Sequence, residues 1–438
     1  MLKVIRSVVL KNVEFWNGKT FEHRDAVYLG NSGNFLSPEI AKQTNFDAEI
    51  DCDNALVMPA MFGLSLDFMA PQRDDVYTFA QGLEAMHRGG FYGGLYESAA
   101  NPIDNNEKLF AAQQRLAGTN YQIKFLGSYS VGFGSDRLSE MLELTEGAGF
   151  ANETPDALAG FGDGNVSFPT TRFLRLAMEY GKMTGKRFFF TPMDKSLRKS
   201  GCVHEGAFSD MLGMKGIPRI AETIAAHTVL ELARFLNVPV HFKQVTCGET
   251  LQLIKDARQK GIDVTCDVNL YHLLFDDSVL LELNSSYHLL PPLRASSDKA
   301  ALWEGIQDGT VDAISVNHTP VLRQDAEVNF EDSVPGALSL EVALPAIWKE
   351  LSKRVSASRA IELLSSGPAR LSSAPLAYDE NDSARQAHLV VLSSDKPHLV
   401  SASDFAGQVC NSPLLGKELP SSILGTYING IWRTIANA

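Results

Sequence analysis

Apolar and polar residues alternate in short runs through the first fifty positions, and turn signals break the runs at Asn17-Gly18 and Gly30-Asn31-Ser32-Gly33. A period of two is the mark of a half-buried strand, and Asn-Gly supplies the positive φ angles of tight hairpins. The chain up to about Cys52 is therefore predicted to form short strands of a small sheet. The other end repeats the pattern: residues 388–392 and 423–433 predict strands, with a hairpin turn at Asn429-Gly430. Both ends thus predict one composite β domain, assigned residues 1–56 and 379–438.

Between them the period changes. Ile220, Ile224, Leu232 and Phe235 recur near helical spacing within 218–237, and 238–245 is a short apolar strand. Leu251, Ile254 and Ala257 then share one face of a helix over 250–260, Gly261 stops it, and 262–268 is strand-like again. Alternating strand and helix over more than 300 residues predicts an α/β fold with a parallel sheet. A (β/α)8 barrel over 57–378 fits that length, and a doubly wound sheet has the same periodicity. The run Asp379-Glu380-Asn381-Asp382 reads as solvated surface joining this region to the terminal strands.

Composition narrows the partners. With 438 residues, 45% hydrophobic and 21% charged, the chain can bury a large core. A net charge of -13 argues against nucleic acid or an anionic membrane, because like charge repels. A neutral or basic protein partner and a homo-oligomer stay open. The five cysteines are widely spaced and form no Cys-x-x-Cys, so they read as reduced structural thiols. No run of 18 apolar residues occurs, and the apolar stretch at the start is too short for a signal peptide, which predicts a cytoplasmic protein. The ten histidines never come closer than ten positions apart, so none forms a local metal-binding pair. Dinucleotide fingerprints, phosphate loops and Gly-x-Ser-x-Gly elbows are absent.

Several blocks carry a family resemblance. Cys202-Val203-His204-Glu205-Gly206, Leu212-Gly213-Met214-Lys215-Gly216-Ile217-Pro218-Arg219-Ile220-Ala221-Glu222, Pro291-Pro292-Leu293-Arg294 and Asn317-His318-Thr319-Pro320 resemble, in order and spacing, the bacterial dihydroorotases of the amidohydrolase superfamily. Gly309-Thr310-Val311-Asp312-Ala313-Ile314 and Gly416 agree, so the resemblance spans nearly the whole chain. It implies a (β/α)8 barrel, a small composite β-sandwich domain from both termini, and pyrimidine synthesis as the setting.

The resemblance also implies zinc, and here the residues depart from it. Where the family has a His-x-His pair, this chain has Ser65 and Asp67. Thr191 and Gln244 stand at two further histidine positions, and Asn317 replaces the catalytic aspartate. A hydroxyl is a poor zinc ligand, and an amide takes up no proton near neutral pH. The implied substrate contacts are replaced as well: Met69 for an arginine, Ala99 and Leu290 for asparagines. Asp163 aligns with the family's metal-bridging aspartate, although Asp before Gly equally favours a turn. Asp67, Asp163 and His318, with His241 nearby, are the remnant candidates for a cation. His272 reads as a packed histidine at a strand end, and Cys247 and Cys266 as core thiols.

The sequence thus predicts no catalytic residues, no substrate contacts and no zinc. It points to a dihydroorotase homologue without activity, of the kind that associates with the aspartate transcarbamoylase catalytic chain. The alternative is a diverged cyclic amidohydrolase with an atypical metal site. A small-molecule sensor using the vacated pocket is a third reading.

Overall fold

The computed structural model describes residues 4–70, 73–146, 157–166, 168–378 and 386–435. The strands β1 (Val8–Trp16), β2 (Phe21–Leu29) and β3 (Ala48–Pro59) lead into β4 (Met61–Leu66), β5 (Phe91–Tyr96), β6 (Gln122–Ser128), β7 (Leu158–Gly162) and β8 (Arg187–Phe190). A small pair, β9 (Val203–His204) and β10 (Gly216–Ile217), precedes β11 (Val240–Phe242), β12 (Val264–Asn269) and β13 (Ala313–Ser315). The chain ends with β14 (Leu389–Ser393), β15 (His398–Leu399), β16 (Glu418–Leu419), β17 (Ser422–Ile428) and β18 (Ile431–Thr434).

Eight strands, β4 to β8 and β11 to β13, form one parallel sheet in chain order. Its edges meet: Leu66 bridges His318, the His318 N–H donates to Ser65 O at 3.0 Å, and the Asp67 N–H donates to His318 O at 3.0 Å. The sheet therefore closes into a barrel, as the resemblance implied, and the doubly wound alternative falls. Closure matters for function because barrel active sites sit where strands end and loops begin.

Both termini meet in a six-stranded sheet of order β18-β17-β14-β3-β1-β2, joined along β3 and β14. Residues 57–59, assigned to the barrel by the sequence pattern, pair with β14 in this sheet instead, for example Val57 with Val391. The predicted turn at Asn429-Gly430 links β17 and β18, with φ of 56° and 71° as a two-residue hairpin turn needs. The run Asp379-Glu380-Asn381-Asp382 lies outside the described residues.

The helix predicted over 218–237 forms at Ile220–Leu236, but its buried face is not the predicted one. Ile220, Ile224 and Phe235 are exposed, whereas Ala221, Ala225, Ala226, Val229 and Ala233 pack inward. Small alanines let the helix lie close to the sheet, and the larger residues stay outside. The next helix, Gly248–Gln259, buries Leu251, Ile254 and Ala257 as expected and is followed by Gly261 at φ 78°. No helix of the described residues is long and apolar enough to cross a membrane.

Candidate functional site

A cavity of about 290 Å³ opens at the strand ends of the barrel. Ser65, Asp67, Met69, Ala99, Leu290 and Asn317, six of the positions at which the resemblance implies other residues, line it together. Four departing positions hold a left-handed backbone: Ser65 and Met69 at φ 61°, Gln244 at 53° and Asn317 at 44°. Such angles on residues other than glycine are strained, by about 1 kcal/mol or more each, and cluster at functional sites.

Beneath the cavity the barrel is filled. The space among Leu64, Leu126, Phe189, His241, Lys243 and Asp267 is only about 10 Å³, barely room for a water molecule. His241 is held there by Thr265 (Nδ1 to Oγ1, 2.8 Å) and Asp267 (Nε2 to Oδ2, 2.9 Å). Asp267 Oδ1 accepts the Gln244 N–H at 2.9 Å, and Gln244 Oε1 accepts from Asn269 Nδ2 at 3.4 Å. Gln244 is thus turned into a buried amide network.

Lys243 decides the electrostatics. Its side chain is buried, and its ammonium lies 2.5 Å from Glu97 Oε2 and 2.9 Å from Asp163 Oδ1. The strand pattern puts it there: His241 and Lys243 are two apart, hence on the same face of the strand end. Glu97 reaches the ammonium past Gly162, where any Cβ would sit 1.9 Å from Glu97 Oε1. The Gly164 N–H donates to that same oxygen at 2.9 Å. Burial alone would lower the Lys243 pKa, but Asp163 and Glu97 overrule it and raise it, so the ammonium stays charged. Asp163 is raised by burial and by Glu97 against the pull of Lys243, as expected when two buried carboxylates share one cation.

Asp163 is also a turn residue, as the sequence allowed. Its Oδ1 accepts the Asn165 N–H at 3.1 Å and its Oδ2 the Thr191 N–H at 2.7 Å. Thr191 Oγ1 donates to Asn165 Oδ1 at 2.7 Å. The carboxylate that would bridge metals in the family is therefore saturated by an internal ammonium and backbone donors. A metal cation at Asp163 would meet the positive charge of Lys243, and the hydroxyl, amide and single carboxylate at the remaining positions are weak ligands. The residues present do not fit the family's metal.

The remnant constellation is not brought together. His318 packs against Phe68 and Tyr77, and its Nδ1 accepts the N–H groups of Ser339 and Leu340 at 3.1 and 3.3 Å. Burial lowers its pKa to about 3, which keeps the ring neutral. His272 is likewise packed, with Nε2 3.1 Å from the carbonyls of Pro291 and Pro292. The ligand-type atoms that do gather, in Cys247, Glu249 and Asp298, are occupied by Arg219, which bonds both carboxylates. Burial pushes the Cys247 and Cys266 thiols up, away from nucleophilic thiolate character.

Asp67 faces the cavity. Its two oxygens accept the N–H groups of Met69 (2.7 Å) and Ala99 (3.0 Å). Burial pushes its pKa up to about 6; these N–H donors oppose the rise and Glu97 adds to it. Between roughly pH 4 and 6 the folded chain keeps a proton at Asp67 that the unfolded chain has lost. Stability is therefore expected to fall as pH rises through that window, by about 3 kcal/mol, and to level above it. Urea denaturation at pH 4.5 and 7 checks this, with Asp67→Asn expected to flatten the slope.

Sequence reasoning missed Glu97, Lys243 and Asp267. The available signal was a lone lysine in the apolar strand Val240-His241-Phe242-Lys243, since a charged residue is rarely buried without a partner.

No protein-family model matches the chain. Curated relatives do. A dihydroorotase of Deinococcus radiodurans is 27% identical over 396 residues, covering 89% of this chain and 92% of its own. A dihydroorotase-like protein of Pseudomonas aeruginosa is 30% identical over 401 residues, covering 89% and 90%. This chain belongs to the dihydroorotase family. Among solved structures, an L-hydantoinase of Arthrobacter aurescens superposes with a TM-score of 0.80 at 17% identity, over 99% of this chain and 98% of its own. That likeness concerns the fold: a closed barrel beside a terminal sheet, here built by a member of the dihydroorotase family.

Proposed function

We propose that this family member is catalytically silent and serves pyrimidine synthesis in the cytoplasm as a structural partner of the aspartate transcarbamoylase catalytic chain, holding no zinc. One observation carries the silent reading: the Lys243 ammonium on Asp163 and Glu97, where the family's chemistry needs a metal. A Lewis acid and a metal-activated water are the means by which such sites attack an amide, and an ammonium supplies neither. Asn317, in place of an aspartate, adds no proton acceptor. A chain relieved of catalysis still needs its exterior for assembly, and a retained fold with a replaced site fits that use.

Mixing the purified chain with aspartate transcarbamoylase is expected to give a particle that elutes earlier than either component in size-exclusion chromatography. Separate elution at micromolar concentrations contradicts the assembly reading. The alternative, a diverged cyclic amidohydrolase, is favoured by the open cavity and by Asp67, whose raised pKa suits a general base. Turnover of dihydroorotate that is lost in Asp67→Asn and kept in Asn317→Ala would select it.

A further inference from the structure

The cavity at the barrel mouth carries two charges that the protein does not neutralise. Arg198 lines it, in the short helix Lys195–Arg198 that follows β8. Among the described residues no carboxylate lies within ion-pair distance of its guanidinium, and its buried Nε has no hydrogen-bond partner. Asp67 lines the same cavity, and its oxygens face only the N–H groups of Met69 and Ala99, with no cation beside them. Glu97, the other carboxylate in the lining, is already paired with Lys243, which it shares with Asp163. Among the described residues no ion pair joins Arg198 to Asp67, so the two charges that line the space are more than 4 Å apart. Arg198 is half-buried and Asp67 buried, where unpaired charges are costly, and a guanidinium fork is shaped for a carboxylate.

We infer that this cavity binds a small zwitterionic amino acid, its carboxylate on Arg198 and its ammonium on Asp67. A simple anion would satisfy Arg198 but meet the charge of Asp67, and a simple cation would do the reverse. A dianion such as succinate would be repelled more strongly. The volume, about 290 Å³, admits a small amino acid. Met69, Leu290, Val334 and Pro335 also line the space and offer apolar surface to a short methylene chain. This binding needs neither a metal nor turnover, and it stands independently of any partner chain.

The test is thermal denaturation of the full chain with glycine, β-alanine or γ-aminobutyrate as probes, against acetate, methylammonium and succinate at matched ionic strength. At least one of the three zwitterions is expected to raise the melting temperature saturably, by about 2 °C at roughly ten times its Kd. Acetate and methylammonium should fail to do so, singly or together. Arg198→Gln should melt like the wild type without ligand, because Arg198 has no side-chain partner to lose, and should abolish the shift. The absence of any zwitterion shift, an equal shift with acetate, or a shift retained in Arg198→Gln each overturns the proposal.

Discussion

Lys243→Met is expected to destabilise the fold by roughly 3–5 kcal/mol, because it strips two buried carboxylates of the one cation that pairs with them among the described residues. Glu97 and Asp163 would then face each other without the ammonium that lies between them. The loss is read from the shift of the urea midpoint at unchanged slope. Adding Glu97→Gln and Asp163→Asn to the same chain should recover most of it, since neutral amides remove the repulsion that the single substitution leaves. A single substitution costing under about 1 kcal/mol would mean that the ammonium does not neutralise the pair. The smaller residue in Lys243→Ala opens room between the carboxylates, so that variant is expected to gain stability from added divalent cation. The wild type should be indifferent to it.

Glu222→Ala is expected to cost a similar amount, roughly 3–5 kcal/mol, for a different reason. Glu222 is fully buried, and its Oε1 accepts the N–H groups of Thr246 at 3.1 Å and Cys247 at 2.9 Å. Its Oε2 accepts the Thr246 hydroxyl and lies 3.8 Å from Arg294 Nη2. Arg294 in turn donates to Thr246 Oγ1, to Ile217 O at 2.8 Å and to His204 Nδ1, a ring kept neutral by burial and by Arg294 itself, with its pKa lowered to about 4. Removing Glu222 leaves two buried N–H donors without their acceptor and a buried guanidinium without its carboxylate counter-charge. Glu222→Gln retains one acceptor and should cost about half as much. Both values follow from denaturant titration.

These two predictions separate what the family motifs preserve from what they have given up. His204, Glu222 and Arg294 belong to the blocks that carry the resemblance, and all three lock the loop after β11 rather than facing the cavity. Motif retention in this chain is therefore retention of architecture. The positions at which the resemblance implies other residues face the cavity or the filled interior.

The alternation of strand and helix made an α/β fold with a parallel sheet legible, because a period of two against one of 3.6 survives sequence change, and the family resemblance supplied the choice of a barrel. The buried face of Ile220–Leu236 was misread because alanines, not the large apolar residues, do its packing. At the site, the losses could be read position by position, since each is a residue type unfit for its role. The replacement could not. Glu97, Asp163 and Lys243 lie on three strand ends separated by 66 and 80 residues, from 163 − 97 and 243 − 163, so no local spacing announces them. Likewise the proximity in sequence of Asn317 and His318 concealed that one lines the cavity while the other packs among aromatic rings.

Zinc content and dihydroorotate turnover, determined on one preparation made with zinc in excess, test the silent site most directly. The Lys243 arrangement predicts substoichiometric zinc and no turnover above the rate in buffer, in either direction of the reaction. Stoichiometric zinc that is lost in Asp163→Asn, together with turnover that depends on it, would contradict the account.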